Sequence, residues 1–231
     1  MSKAVGHPSN TQDDFLGSGF ALLCQASILL GRAIRHARVG PPSSISHTEI
    51  IGLSREINEF ASALDDRSLD GMLETPSLLA PRFVARSALF VLLDRFTCPE
   101  KLNAAPGYLT ESSVKTMDDL ELQTECIQTL EATSQQLHTM SSSIMLAVRG
   151  LEDEAVDLSE VSLLNPFIMD AIYAGAASFR WLERESGSEL HARAAKHMEK
   201  LLDVLNARWK LAGAYRNMLA LYDIGVHNIS T

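Results

Sequence analysis

The sequence has few cysteines and none of the arrangements that cysteine chemistry needs. Its 231 residues include three, Cys24, Cys98 and Cys126. An odd and widely spaced set predicts free thiols in a reducing compartment. There is no Cys-x-x-Cys pair and no Cys/His cluster with zinc-finger spacing. We therefore expect no metal site and no cofactor.

Positive charge is also in short supply. Lys and Arg total 20 against 29 Asp and Glu, which gives a formal net charge of −9. Binding to duplex DNA requires cations that neutralise phosphates, so we expect no direct nucleic-acid binding by this chain alone. Residues 98–165 hold twelve acids and three bases. This bias favours solvated helix faces, with a surface for a basic protein as the alternative.

Long apolar runs and export signals are missing as well. The run from Phe20 to Leu30 is shorter than the ~20 apolar residues that a membrane span needs. The first nineteen residues are polar and include Asp13 and Asp14, unlike a secretory signal. We expect no membrane association, and a location in the cytoplasm or the nucleus.

Strand-like alternation is hard to find, and helical periodicity takes its place. The eight prolines fall at predicted helix borders. Between them, apolar residues recur every three to four positions, which predicts an all-α fold, an irregular bundle of about seven helices with one long central helix. The predicted organisation is a disordered N-terminus over residues 1–13, a single helical domain over 14–225 and a flexible C-terminus over 226–231.

Prolines and other turn-forming residues set the predicted helix borders. We predict that the first helix faces the core with Phe20, Leu23 and Leu30, and that Pro76 to Pro81 is a connector. The next helix is apolar enough to be buried nearly all round, and the last two are either separate or one kinked helix. The predicted helices cover residues 14–39, 46–64, 82–96, 113–150, 166–185, 189–205 and 208–223.

A carboxylate motif suggests an enzymatic alternative. Asp118, Asp119 and Glu121 lie near the start of the long helix, and a helical-bundle enzyme of prenyl-diphosphate type would use such residues to hold magnesium. Adjacent aspartates point about 100° apart on a helix, and no second acidic motif lies downstream. Acids in a first helical turn also complement the helix dipole without any ligand.

Other polar motifs have simple interpretations. Ser46 and Glu49 are spaced as a capping box. His191 and His197 lie six residues apart, on nearly opposite sides of one helix, so they cannot share a metal without a third element. The serines at 141–143 lack a Gly-x-Ser-x-Gly elbow.

Aromatic residues make up 6% of the chain, and both tryptophans lie in its last third. We predict that Trp181 and Trp209 anchor the core where two C-terminal helices cross. The alternative is that they line an effector pocket together with Phe167 and Tyr215.

Three stretches occur in an order and spacing found in a known family. They are Ala21-Leu22-Leu23-Cys24-Gln25-Ala26-Ser27-Ile28-Leu29-Leu30-Gly31-Arg32, the helix opened by Asn165-Pro166-Phe167 that runs through Ala176-Ala177 to Trp181-Leu182, and Arg208-Trp209-Lys210-Leu211-Ala212-Gly213-Ala214-Tyr215. Together they resemble the C-terminal half of the regulatory "middle homology" domain of fungal zinc-cluster transcription factors.

This resemblance implies a non-enzymatic regulatory domain in the nucleus. Such a domain would modulate transcription through protein partners, through a second copy of itself as a homodimer, or through a small-molecule effector. The chain departs from the family because it has no six-cysteine cluster and no tryptophan-rich helix in its earlier part. Metal-dependent DNA recognition is therefore not carried over.

Overall fold

The computed structural model describes residues 18–38, 47–67, 76–97, 117–149 and 164–227. Within these ranges the chain forms helices and no strand. The seven helices are α1 (Gly19–Arg38), α2 (His47–Asp66), α3 (Pro76–Thr97), α4 (Met117–Arg149), α5 (Ile168–Ser186), α6 (Glu189–Asn206) and α7 (Lys210–His227). The predicted all-α bundle of about seven helices is confirmed.

Most helix borders fall close to the predicted ones. The predicted N-terminal segment, the start of the first helix at Asp14 and the cap at Ser46 lie outside the described residues. The last two helices are separate, with a turn at 207–209 between them. Helix α7 continues to His227, past the predicted end of the helical domain at 225.

The segment from Pro76 to Pro81 is not a connector, because it forms the beginning of α3. A proline in the first turn of a helix is tolerated, since the N–H group that it lacks would have no partner inside the helix. Pro81 lies deeper and removes the N–H group that would bond to the Ser77 carbonyl. Helix α3 therefore begins six residues before its predicted start at residue 82, and it includes both prolines.

Helix α1 approaches this opening turn of α3 very closely. A Cβ atom on Gly19 would lie 2.5 Å from Ser77 Cβ and 2.7 Å from the Ser77 carbonyl oxygen. The hydroxyl of Ser18 caps α1 by accepting the Ala21 N–H at 3.2 Å. At the other end Arg95 donates to the Ala37 carbonyl at 3.2 Å. Contacts at both ends thus hold α1 against α3.

The buried face of α1 differs from the predicted one. Phe20 is 75% exposed and Leu23 and Leu30 are only half-buried. The buried residues of α1 are two leucines and two alanines, Leu22, Ala26, Leu29 and Ala33. The prediction was wrong because leucines lie on two adjacent faces of α1. Leu22 and Leu29 are buried, one position and about 100° away from the predicted Leu23 and Leu30.

Helix α3 is the most enclosed element. Residues 78–90 are all buried, and α3 contacts α1, α2, α4 and α5. The expectation of a helix buried nearly all round is confirmed. The longest helix, α4, has 33 residues and packs on α3, α5 and α6.

A charged residue lies in the middle of this core. The Arg86 side chain is 1% exposed, and it donates to Asp65 of α2 at 2.5 Å and to Gln136 of α4 at 3.3 Å. Arg82 donates to the other oxygen of the same carboxylate at 2.8 Å. Burial lowers the pKa of Arg86. The Asp65 carboxylate therefore balances two buried arginines, and Arg86 joins α2, α3 and α4.

Candidate functional site

Two tyrosines stack where α5 meets α7. The rings of Tyr173 and Tyr215 have centroids 4.8 Å apart and planes inclined by 17°. The Tyr215 hydroxyl donates to Asp170 Oδ1 at 3.2 Å. Burial, followed by the charge of Asp170, raises the pKa of Tyr215 to about 12. Tyr215 is therefore a neutral hydrogen-bond donor at physiological pH, held in one position by α5.

A second contact fixes the relative direction of the two helices. Arg180, later in α5, donates to the carbonyl of Leu219, later in α7, at 3.0 Å. Since later residues of one helix meet later residues of the other, α5 and α7 run in the same direction here. Helix α6 packs against both.

The four aromatic residues singled out in the sequence lie in different environments. Trp181, Trp209 and Tyr215 are half-buried and pack against the core. Phe167 is 56% exposed at the N-terminal end of α5. In the turn before this helix Asn165 Oδ1 accepts the Phe167 N–H at 3.0 Å, and the N-cap position itself is Phe167.

A carboxylate on α6 holds α5 and α7 together. Glu199 is 7% exposed, accepts from Arg180 of α5 at 2.5 Å and forms an ion pair with Arg216 of α7 at 3.3 Å. Arg216 also contacts Asp203 at 3.2 Å. Sequence reasoning missed Glu199, although its spacing from the buried residues Ala195 and Leu202 placed an acid on an apolar face.

Helix α7 carries an apolar stripe that faces outward. We define the α7 stripe as Leu211, Ala214, Met218 and Leu221. Its three large members are 50%, 48% and 65% exposed, in that order, and Ala214 is exposed as well. The spacing of three, four and three residues is that of the a and d positions of a coiled coil. The helix reaches its own core with other residues, Ala212 and Leu219.

Half-buried residues of α5 extend the apolar surface next to α7. We define the α5 face as Ala174, Ala177 and Trp181, which recur at helical spacing. Two of the three are alanines, which allow another backbone to approach closely. The stacked tyrosines join this face to α7.

A row of four rings lies between α4, α5 and α6. His138 is in edge contact with His197 at 5.1 Å and with Phe179 at 6.1 Å, and Phe179 contacts His191 at 5.9 Å. The expectation that His191 and His197 lie on nearly opposite sides of α6 overstated their separation. Six residues place them about 120° apart, so both reach the same row.

Polar groups surround the histidine row. His191 lies 3.5 Å from Glu131 Oε1 and 3.2 Å from the Ser186 hydroxyl. Burial lowers the pKa of His138. Within the described ranges, no three His, Cys, Asp or Glu side chains are placed to hold a metal ion.

One histidine of the row contacts a serine. Ser142 Oγ lies 3.2 Å from His197 Nε2, and the same hydroxyl donates to the His138 carbonyl at 2.8 Å. A hydroxyl has a single proton, so His197 must donate to Ser142 in this arrangement. An activated nucleophile requires the opposite, a base that accepts the serine proton.

The carboxylates of the enzymatic alternative do not converge. Asp118 and Glu121 are exposed, and Asp119 lies 3.3 Å from His47 Nε2 at the start of α2. In the part of the chain that the structure describes, they join no cluster of three or more potential metal ligands.

A polar groove separates α2 from α4. Its volume is about 520 Å³, and its lining is mostly polar, with carboxylates from Glu59, Asp66 and Glu125. None of the four aromatic residues singled out in the sequence lines it.

At the level of class, the described residues form an all-α bundle. None of its described helices is long and apolar enough to cross a membrane. A comparison with family models, curated proteins and solved structures finds no match for this chain.

Proposed function

We propose that this chain is a non-catalytic regulatory domain that modulates transcription in the nucleus by binding other proteins. The observation that carries the proposal is the α7 stripe. Four apolar residues at coiled-coil spacing are exposed although the helix has its own buried face. Side chains with this spacing pack best against another helix, which makes the stripe suited to a protein partner.

The resemblance found in the sequence supports the same proposal. Its three stretches lie in α1, at the start and along α5, and at the start of α7. Helix α7 carries the exposed stripe and the α5 face beside it is half-buried. Helix α1 exposes Phe20 and Ile28 to 75% and 64%. Clusters of exposed apolar residues mark sites of protein interaction.

A reporter assay tests the proposal. The chain is fused to a heterologous DNA-binding domain, and transcription from a promoter carrying its sites is measured. We expect the fusion to raise or lower transcription relative to the DNA-binding domain alone. Met218→Glu is expected to remove the effect, because it puts a charge in the stripe at a position 48% exposed in the fold.

The matched control is Leu190→Glu on α6, which changes another exposed leucine outside the stripe. It should keep the transcriptional effect. A folded, nuclear fusion that leaves transcription unchanged would contradict the proposal.

A further inference from the structure

We infer that the α7 stripe and the α5 face form the interface of an antiparallel homodimer. This names the partner of the surface on which the proposed function rests. The spacing of the stripe points to a second copy of the chain. Its intervals of three, four and three residues are the same from either end, so the stripe of a second copy running in the opposite direction matches it residue for residue. An antiparallel pair with its two-fold axis at residue 216 places Leu211 opposite Leu221 and Ala214 opposite Met218.

These pairs are complementary in size. The smallest member of the stripe, Ala214, meets the long and flexible side chain of Met218, and each leucine meets a leucine. A large residue facing a small one lets two helices interdigitate without a void. A C2 interface needs such self-complementarity, since each residue meets the symmetry-related patch of the same chain.

The charges around the stripe favour the antiparallel arrangement. Arg208 and Lys210 are exposed at the start of α7, and residues 208–221 contain no acid. A parallel pair would bring the four cations together. In the antiparallel pair they lie at opposite ends of the interface, where salt screens their repulsion.

The available area suits a dimer when both helices contribute. Helices α5 and α7 have 19 and 18 residues. Each spans about 27 Å, and two neighbouring helices about 10 Å apart give roughly 500 Å² of flat area, with more once side-chain relief is counted. A standard interface buries about 800 Å² per partner. The α7 stripe alone would be too small, so the α5 face belongs to the interface.

The first test measures the mass of the intact chain in solution, under reducing conditions because Cys24 is an exposed free thiol. Light scattering and sedimentation over a hundredfold concentration range should give twice the chain mass of 25.3 kDa at the high end and dissociation on dilution. Met218→Glu should be monomeric with unchanged helical circular dichroism. Leu190→Glu, at a comparably exposed position on α6, should remain dimeric.

A charge-swap pair tests the register. Leu211→Lys and Leu221→Glu should each produce monomers, and the double variant should recover the dimer because Lys and Glu then face each other across the axis. A parallel pair would instead place lysine against lysine and glutamate against glutamate.

A chain that is monomeric at every concentration would overturn the inference. So would a dimer that survives Met218→Glu, because its interface lies elsewhere. A double variant that stays monomeric would overturn the antiparallel register. None of these outcomes depends on the reporter assay. If the chain is monomeric but its fusion still changes transcription, the dimer is excluded and the proposed function stands.

Discussion

Individual residues of the histidine row give the fold a dependence on pH. His138 lies against Phe179 and His197, and burial lowers its pKa from the ordinary value of 6.5. A proton therefore binds the unfolded chain more readily than the folded one. The contribution of this histidine to the free energy of unfolding is fully present above pH 6.5, where its side chain is neutral in both the folded and the unfolded chain. It is lost as the pH falls from there toward the lower folded-state value.

We expect His138→Gln to weaken this dependence. The free energy of unfolding, measured by urea denaturation at about pH 7.5 and about pH 5.5, should differ less between the two pH values in the variant than in the parent chain. Thr139→Gln, at the neighbouring exposed position of α4, is the control and should keep the parent difference. An equal pH difference in the parent and in His138→Gln would contradict the assignment.

The residues that were hardest to predict are those whose contacts come from helices far away in the sequence. Tyr215 was singled out because an aromatic residue is conspicuous in the sequence. His138 had no local signal, since its ring partners come from two other helices. Glu199 likewise has its arginine partners on α5 and α7. Helical periodicity shows which face is buried, and it does not show which side chains of other helices meet there.

At the scale of elements, the packing of α1 on α3 depends on one glycine. Gly19→Ala places a methyl group on the backbone of Ser77, which cannot move without shifting the first turn of α3. We expect the free energy of unfolding to fall by about 1–3 kcal/mol, the usual cost of overpacking. Chemical denaturation measures it.

Gly31→Ala is the control on the same helix, because nothing lies within 4 Å of its added Cβ. Alanine is the better helix former, so this variant should be neutral or more stable by up to about 1 kcal/mol. Equal destabilisation by both substitutions would show that α1 responds to helix content and not to contact with Ser77.

The same close approach explains why element types were predictable and one helix face was not. Large residues of α2 and α5 lie inside, for example Ile57 and Phe179. In α1 the buried positions include Ala26 and Ala33, while Ile28 is 64% exposed. Apolar residues lie on two adjacent faces of α1, so periodicity alone does not choose between them. The buried face is the one on which two alanines allow α3 to approach closely.

At the scale of the whole molecule, one continuous core joins all seven described helices. It includes Leu29 of α1, Ile50 of α2, Leu137 of α4, Leu201 of α6 and Leu219 of α7. Helix α3 lies between α1, α2, α4 and α5. The described bundle should therefore unfold as one cooperative unit, as small domains with a single core do.

The ion network of Asp65 provides the test of this cooperativity. Asp65→Asn removes the carboxylate that balances Arg82 and Arg86. Breaking a buried ion pair costs about 3–5 kcal/mol, and we expect about 2–4 kcal/mol here because solvent still reaches the Asp65 side chain. Asp66→Asn changes the adjacent exposed carboxylate and should stay within about 0.5 kcal/mol of the parent.

Tryptophan fluorescence measures whether the loss of stability caused by Asp65→Asn extends to the C-terminal helices. Trp181 and Trp209 lie on α5 and in the turn before α7, whereas Asp65 is on α2. Their fluorescence reports the C-terminal helices, and far-ultraviolet circular dichroism reports all of them. If the core is one unit, Asp65→Asn should lower both melting temperatures equally. A fluorescence transition that keeps its parent temperature while the dichroism transition moves would instead show that α5, α6 and α7 unfold independently of the network around Arg86.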